Sequence, residues 1–227
     1  TLVAETWSET FGVEDPRITL IDGTYYITYT AVSPRGIASA LASTDDFRSF
    51  KRHGIIFPPE NRDVTIFPEK VGGRYVCHHR PVGHSIGGFD MWAAFSDDLV
   101  HWGSHKFVMG RRPGLWDSAR VGGGTVPIRT DRGWLSIYHG ADENDRYALG
   151  ALLCDPDHPE RVIARSARPL LEPETEYELQ GFFGNVVFTC GAVLEGEVLT
   201  VYYGAADRLL CGAAGTLTEI LASLSAP

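Results

Sequence analysis

The chain has 227 residues, a formal net charge of −9 and an apolar fraction of 44%. That is enough apolar material for an ordinary globular core, and the acidic balance excludes a nucleic-acid backbone as the main partner, because such binding needs a field of Lys and Arg. No run approaches the roughly eighteen consecutive apolar residues of a membrane span, and the opening TLVAETWSE has no basic start followed by an apolar stretch, as a signal peptide would.

The chain starts on Thr1 instead of Met, so an upstream portion carrying any targeting signal is expected. Cys77, Cys154, Cys190 and Cys211 lie far apart, in or beside apolar runs and without C-x-x-C spacing. That pattern predicts reduced, mostly buried thiols in a cytoplasmic protein, and neither a disulfide scaffold nor a zinc site.

Taken in chain order, the elements repeat. Asp15 to Ala31 (DPRITLIDGTYYITYTA) predicts two strands about an Asp22-Gly23 turn, then a third strand at Gly36 to Thr44. Phe67 to Arg80 repeats the pattern about Gly72-Gly73, with a third strand at Asp90 to Ser96. The strings S-T-D-D-F-R-S-F (Ser43 to Phe50) and S-D-D-L-V-H-W (Ser96 to Trp102) follow these two units as near-identical turns. Gly124 to Gly140 turns at Arg132-Gly133 and is followed by Tyr147 to Asp155. Cys190 to Gly204 turns at Glu195-Gly196 and is followed by Leu209 to Gly215. The closing LTEILAS is read either as a helix or as a terminal strand.

I-Y-H-G ends at Gly140 and V-Y-Y-G at Gly204, 64 residues on. A period of that size filled by short strands predicts the blades of a propeller; a β-sandwich would need no repeat at blade spacing. The chain is read as one domain over 1–227, with units starting near 11, 61, 116 and 181. A ring of four blades is possible, and so is one of five with its first blade upstream. Closure is expected to bring the two termini into one blade.

In such a fold the innermost strands send polar groups from successive blades to one channel mouth. The strings placed to do so are E-D-P-R (Glu14 to Arg17), N-R-D (Asn61 to Asp63), Glu69 with Lys70, H-H-R-P (His78 to Pro81), W-D-S-A-R (Trp116 to Arg120), Y-H-G (Tyr138 to Gly140), Asn185 and G-A-A-D (Gly204 to Asp207). Asp15 is read as a channel acid, against the plainer reading of a turn cap before Pro16. Arg62, Arg80, Arg120 and His139 together predict a compact cationic site, for which an anion such as phosphate is the simplest occupant.

Trp7, Trp92, Trp102, Trp116 and Trp134 are read as core packing more readily than as a sugar platform. His78, His79, His84 and His139 lack helical metal-ligand spacing and have arginines around them, so no metal is expected. V-G-G-G-T (Val121 to Thr125) lacks the lysine and following helix of a phosphate-cradling loop.

The strings F-G-V-E-D-P-R-I, N-R-D-V-T-I-F-P-E-K, H-R-P, W-D-S-A-R-V-G-G-G-T-V-P-I, G-W-L-S-I-Y-H-G and V-Y-Y-G-A-A-D occur in order from Phe11 to Asp207. This chain resembles glycoside hydrolase family 130, the β-mannoside phosphorylases and β-mannosidases. The resemblance implies an all-β fold, a five-bladed β-propeller whose first blade is missing or incomplete in this chain, with an inverting active site at the channel mouth. It implies that Asp15 is the general acid, which in some members protonates through a sugar hydroxyl. It implies that Arg62, Arg80, Arg120, His139 and Tyr147 bind phosphate, and that Glu14, Arg17, Asp63, Trp116, Asp117 and Asp207 contact substrate.

Phosphorylases of the family commonly have lysine where this chain has Arg120, and the planar fork alters the phosphate geometry. The implied reaction is transfer of a β-linked mannosyl residue to inorganic phosphate, a co-substrate, with no cofactor. Part of the acceptor site is expected from loops and partner subunits, so a homo-oligomer is compatible. An inverting β-mannosidase on the same fold, with Asp142, Glu143 or Glu178 activating water, is the alternative reading, followed by a non-catalytic carbohydrate-binding propeller.

Overall fold

The computed structural model describes residues 2–83 and 86–226, so His84 lies outside the described residues. Asp22 and Gly23 (φ 50° and 84°), like Gly72 and Gly73 (φ 59° and 82°), are left-handed at both central turn positions. That geometry matches the right-handed twist of flanking strands. The first turn joins β1 (Gly12–Ile21) to β2 (Thr24–Ser33), and β3 (Gly36–Thr44) and β4 (Lys51–Phe57) complete an antiparallel sheet in chain order. The second lies between β5 (Asn61–Ile66) and β6 (Tyr75–Pro81), which continue into β7 (Met91–Ser96) and β8 (Gly103–Met109).

The third sheet holds β9 (Arg120–Gly123), β10 (Ile128–Thr130), β11 (Gly133–Ala141), β12 (Tyr147–Cys154) and β13 (Val162–Ser166), with β9 and β10 both pairing to β11. A short helix, α1 (Glu176–Leu179), leads into β14 (Val187–Glu195), β15 (Val198–Ala205) and β16 (Leu209–Thr216).

These are four blades of an all-β propeller, as the repeat predicts, and they fit a five-bladed ring with one blade not represented. Along the axis β5 touches both β1 and β9, and β1 also touches β14. Apolar layers lie between blades. Ile21, Leu41 and Phe57 meet Ile66 and Cys77; Phe67, Val76 and Met91 meet Trp134 and Leu152; Leu135 and Leu149 meet Val187 and Leu199. Between the fourth sheet and the first no such layer exists among the described residues. Ile18, Leu20, Val193 and Tyr202 are half exposed there, and Leu210 is 80% exposed.

Two expectations shift, and one open alternative is decided. The inner strand of the second unit is Asn61–Ile66, ahead of the Phe67 start read from sequence. The closing segment is a helix, α2 (Leu217–Ala222), begun by a Thr216–Glu219 capping box. The final strand, β17 (Leu224–Ser225), pairs with β13 on the rim of the third blade, so it does not join the first blade to close a ring. All four cysteines are free, Cys77 and Cys154 buried and Cys190 and Cys211 partly so. No helix among the described residues is long and apolar enough to cross a membrane.

Candidate active site

Innermost strands bulge where chemistry is needed. β1 breaks register between Glu14 and Arg17, β5 between Arg62 and Thr65, and β14 between Thr189 and Gly191. Bulges re-aim side chains without ending the ladder. Asp15 (φ 52°) and Asp63 (φ 59°) occupy the first two in left-handed backbone, a conformation that Asp tolerates better than most residues.

Asp63 is the hub. It is 2% exposed, with Arg17 Nη2 at 3.2 Å from Oδ1, and Arg80 Nε at 2.7 Å and His139 Nε2 at 3.3 Å from Oδ2. Burial alone would raise its pKa, but Arg80, His139 and Arg17 outweigh that and hold the carboxyl far below the usual range. His139 is fully buried, and burial pulls its imidazole down; Asp63 opposes the shift, while Arg80 and Arg17 add to it. Neither ring nitrogen of His139 has a well-formed hydrogen bond among the described residues. The glycine run earlier set aside explains this packing. A Cβ on Gly122 would lie 2.3 Å from Asp63 Oδ2 and 2.6 Å from the His139 ring.

The predicted cationic residues do converge. Arg62 and Arg80 are cross-strand partners. The Arg80 and Arg120 guanidinium groups both lie against the Phe89 ring, at 5.8 and 5.7 Å. Arg120 donates to Tyr147 Oη at 2.7 Å and to Asp145 Oδ1 at 2.5 Å. Tyr147 and Phe188 pack beside His139, at 6.1 and 4.5 Å between ring centres. Arg62 makes no ion pair among the described residues. Of four guanidinium groups, counting Arg17, three share two carboxylates, Asp63 and Asp145, in ion pairs among the described residues. The balance of these pairs is positive in an acidic protein, and Arg62, without an ion pair, and Arg120 Nε, without a hydrogen bond, among the described residues suit an oxyanion with several acceptor oxygens.

Asp15 lies next to this cluster; with Phe188, Cys190 and Asp207 it lines a cleft of about 510 Å³ between the first and fourth blades, whose lining also includes the Ile18, Val193, Tyr202 and Leu210 of the open side. Burial, and then the nearby Asp15 carboxylate, push Asp207 up. Burial pushes the Cys190 thiol up to about 11, so it is no ready nucleophile. The larger cavity, about 590 Å³ between the Gly110 to Ser118 loop and Asp142 to Asn144, contains none of the residues expected to bind phosphate.

Other expected residues sit elsewhere. Arg17 is 2% exposed and spends its donors on the Asp15 carbonyl, Asp63 and the Gly123 carbonyl, so it braces the site from beneath. Asp117 is fully buried, receiving Arg112 at 2.7 Å, Arg165 at 2.6 Å and Tyr138 Oη at 2.9 Å. Those contacts occupy its carboxylate, which sits within the blade next to Trp116. Trp116 stacks at 5.4 Å on Tyr138, between Gly140 and Gly150, with its indole N–H unpaired. Glu14 is exposed and lines a separate 280 Å³ cavity with Pro16 and Phe50, beside the cleft. Glu69 and Lys70 follow the far end of β5, away from Arg62.

His78 and His79 face the neighbouring blades instead of the channel. His78 Nε2 bonds the Pro159 carbonyl at 3.0 Å, and His79 stacks on Phe57 at 4.4 Å and bonds Asn61 and His105. No group of three or more His, Cys, Asp or Glu among the described residues is placed to hold a metal ion. Sequence reading missed Arg112, Asp145, Arg165 and Phe188, which carry no local motif and acquire their contacts from other parts of the chain, Phe188 from as far away as Arg17.

At its axis the propeller sets an acid, Asp15, beside a buried cationic cluster. The glycoside hydrolase family 130 model, described as beta-1,4-mannooligosaccharide phosphorylase, matches residues 1–226, and the chain belongs to that family. A beta-1,2-mannobiose phosphorylase of Listeria innocua serovar 6a is 51% identical over 216 residues, 95% of this chain and 61% of that protein. A 1,2-beta-oligomannan phosphorylase of Thermoanaerobacter sp. (strain X514) is 44% identical over 209 residues, 91% of this chain and 69% of that protein. The solved Listeria innocua beta-1,2-mannobiose phosphorylase with beta-1,2-mannobiose superposes with a TM-score of 0.96 at 50% identity, covering 98% of this chain and 63% of that one. The chain therefore spans a little over three-fifths of these Listeria relatives.

Proposed function

We propose that the protein carries out phosphorolysis of a β-mannoside with inversion, releasing α-mannose 1-phosphate and a shortened acceptor. The observation that carries this is the gathering of Arg62, Arg80, Arg120 and His139 about one site, where Asp63 and Asp145 are the carboxylates paired to them among the described residues and Arg62 is paired to none. Phosphate held there by these groups and Tyr147 aims one oxygen at the anomeric carbon, opposite the leaving group. The new C–O bond forms as the glycosidic C–O bond breaks, and Asp15 gives its proton to the departing oxygen. Phosphate is already a competent nucleophile, so no second carboxylate is required as a base, unlike in an inverting hydrolase. The cations lower the cost of bringing a dianion into a partly dry site and orient it.

A β-1,2 linkage is the favoured substrate. The relatives at 51% and 44% identity carry β-1,2 names, whereas a Ruminococcus albus beta-1,4-mannooligosaccharide phosphorylase is 35% identical. The test is sugar release from β-1,2-mannobiose and β-1,4-mannobiose with and without inorganic phosphate. Mannose 1-phosphate formed only with phosphate, and faster from the β-1,2 substrate, is the expected result. Equal release of free mannose in both conditions would leave the hydrolase reading standing.

A further inference from the structure

The segment Gln180 to Asn185, between α1 and β14, carries two exposed phenylalanines and is tied to Ala206, whose neighbour Asp207 lines the cleft. Phe182 is 90% exposed and Phe183 42%. The loop is nevertheless held tightly. A Cβ on Gly181 would meet the Ala206 carbonyl oxygen at 2.1 Å, and one on Gly184 would meet that of Leu179 at 2.5 Å. Phe183 N–H donates to the Ala206 carbonyl and Asn185 N–H to that of Leu179, both at 3.3 Å, while Tyr147 N–H donates to the Asn185 carbonyl at 3.0 Å. Glu178 Oε2 caps Glu174 and Thr175, and its Oε1 accepts Tyr203 Oη at 2.8 Å, which anchors the turn before the loop. A rigid loop with bare apolar rings needs a reason, because solvent gains nothing from it.

Two neighbours indicate the occupant. Phe183 stands edge-on to Tyr147 at 6.3 Å, and Tyr147 Oη accepts from Arg120. The loop is also tied to Ala206, next to Asp207, which lines the same cleft as Asp15. Through Phe183 the loop therefore adjoins both the Arg120–Tyr147 pair and the acid-lined cleft.

We propose that Phe182 and Phe183 form a stacking platform for a pyranose ring of the oligosaccharide beyond the cleaved bond, making this loop a determinant of chain-length preference. The proposal rests on the reading of the cleft as a β-mannoside site. A sugar offers a C–H face to an aromatic ring and hydroxyls to Asp207 beside it, and a pre-ordered ring costs little entropy to use.

The test compares wild type, Phe182→Ser and Phe182→Trp on β-1,2-mannobiose and β-1,2-mannotetraose. Phe182→Ser is expected to lower the tetraose-to-biose ratio of kcat/KM about fivefold to tenfold, mainly through KM, and Phe182→Trp to keep it. Calorimetric titration of mannotetraose without phosphate should show the same loss of affinity in Phe182→Ser. An unchanged ratio and an unchanged affinity would overturn the proposal. So would a shift of Phe182→Ser from oligomer to monomer in sedimentation with both ratios intact, since the rings would then join copies of the chain. A wild type that phosphorolyses nothing yet binds tetraose in a Phe182-dependent way would refute the reaction and leave the platform standing.

Discussion

Asp15 and Arg80 serve separable purposes, and their variants should fail differently. Asp15→Asn keeps the shape but removes the transferable proton, so turnover should fall on the order of 10²–10⁴-fold. The deficit should shrink for aryl mannosides with an acidic phenol, while the KM for phosphate barely moves. Arg80→Ala removes a charged contact from a buried site, and the KM for phosphate should rise about 10- to 100-fold, recoverable with more phosphate and indifferent to the phenol. Equal losses on activated and unactivated mannosides would remove Asp15 as the acid. Asp63 belongs to another category, since its carboxylate is enclosed by Arg17, Arg80 and His139. Asp63→Asn leaves two buried guanidinium groups short of a counter-charge, and a loss of about 3–5 kcal/mol in urea unfolding is expected. A variant with unchanged unfolding would mean that Asp63 is free for substrate after all.

The blades depend on one another through two neutral histidines. Burial holds His78 at about 4; burial and then the neighbouring His105 and His78 hold His79 at about 3, while an unfolded chain leaves both near 6.5. Between those values the unfolded state binds more protons, so the stability both provide is complete above pH ~6.5 and lost as pH falls. For His78 the loss reaches about 3 kcal/mol near pH 4. Unfolding midpoints measured from pH 7 to 5 should fall steadily. In His78→Gln, whose amide N–H can still reach the Pro159 carbonyl, the slope of unfolding free energy should flatten by about 1 kcal/mol per pH unit. An identical slope would place the titrating group elsewhere.

At this scale the sequence was readable where a strand is central and its turn demands glycine. It was less readable at β4, β8 and β13, which carry exposed charges such as Lys51, Lys106 and Arg161 on or beside them and look like loops. The repeated Asp turn was seen at Asp46 and Asp98, whose carboxylates accept backbone N–H groups two and three residues on; the third copy, at Asp155, was hidden by its Pro-Asp-His sequence.

The whole arc was legible because its period survives in sequence, and the phosphate candidates because each blade contributes one polar string. What no string reveals is which polar residues are used up inside: Arg17, Asp63 and Asp117 resemble site residues until their partners from other blades are known. The same limit applies to the open side. Ile18 and Leu20 on β1, Val193 on β14, Tyr202 on β15 and Leu210 on β16 read as core residues, yet among the described residues no apolar layer covers them. The relatives that superpose so closely are longer by more than a third of their own length, enough for a further blade to cover that face. Produced as these 227 residues alone, the chain should therefore bind a hydrophobic dye and self-associate with rising concentration. Val193→Lys with Leu210→Lys should suppress both without shifting the thermal midpoint by more than a few degrees, because neither side chain is in an interblade layer. If dye binding and association were unchanged by the double variant, the exposed surface would lie elsewhere and the open side would not be the seat of a further blade.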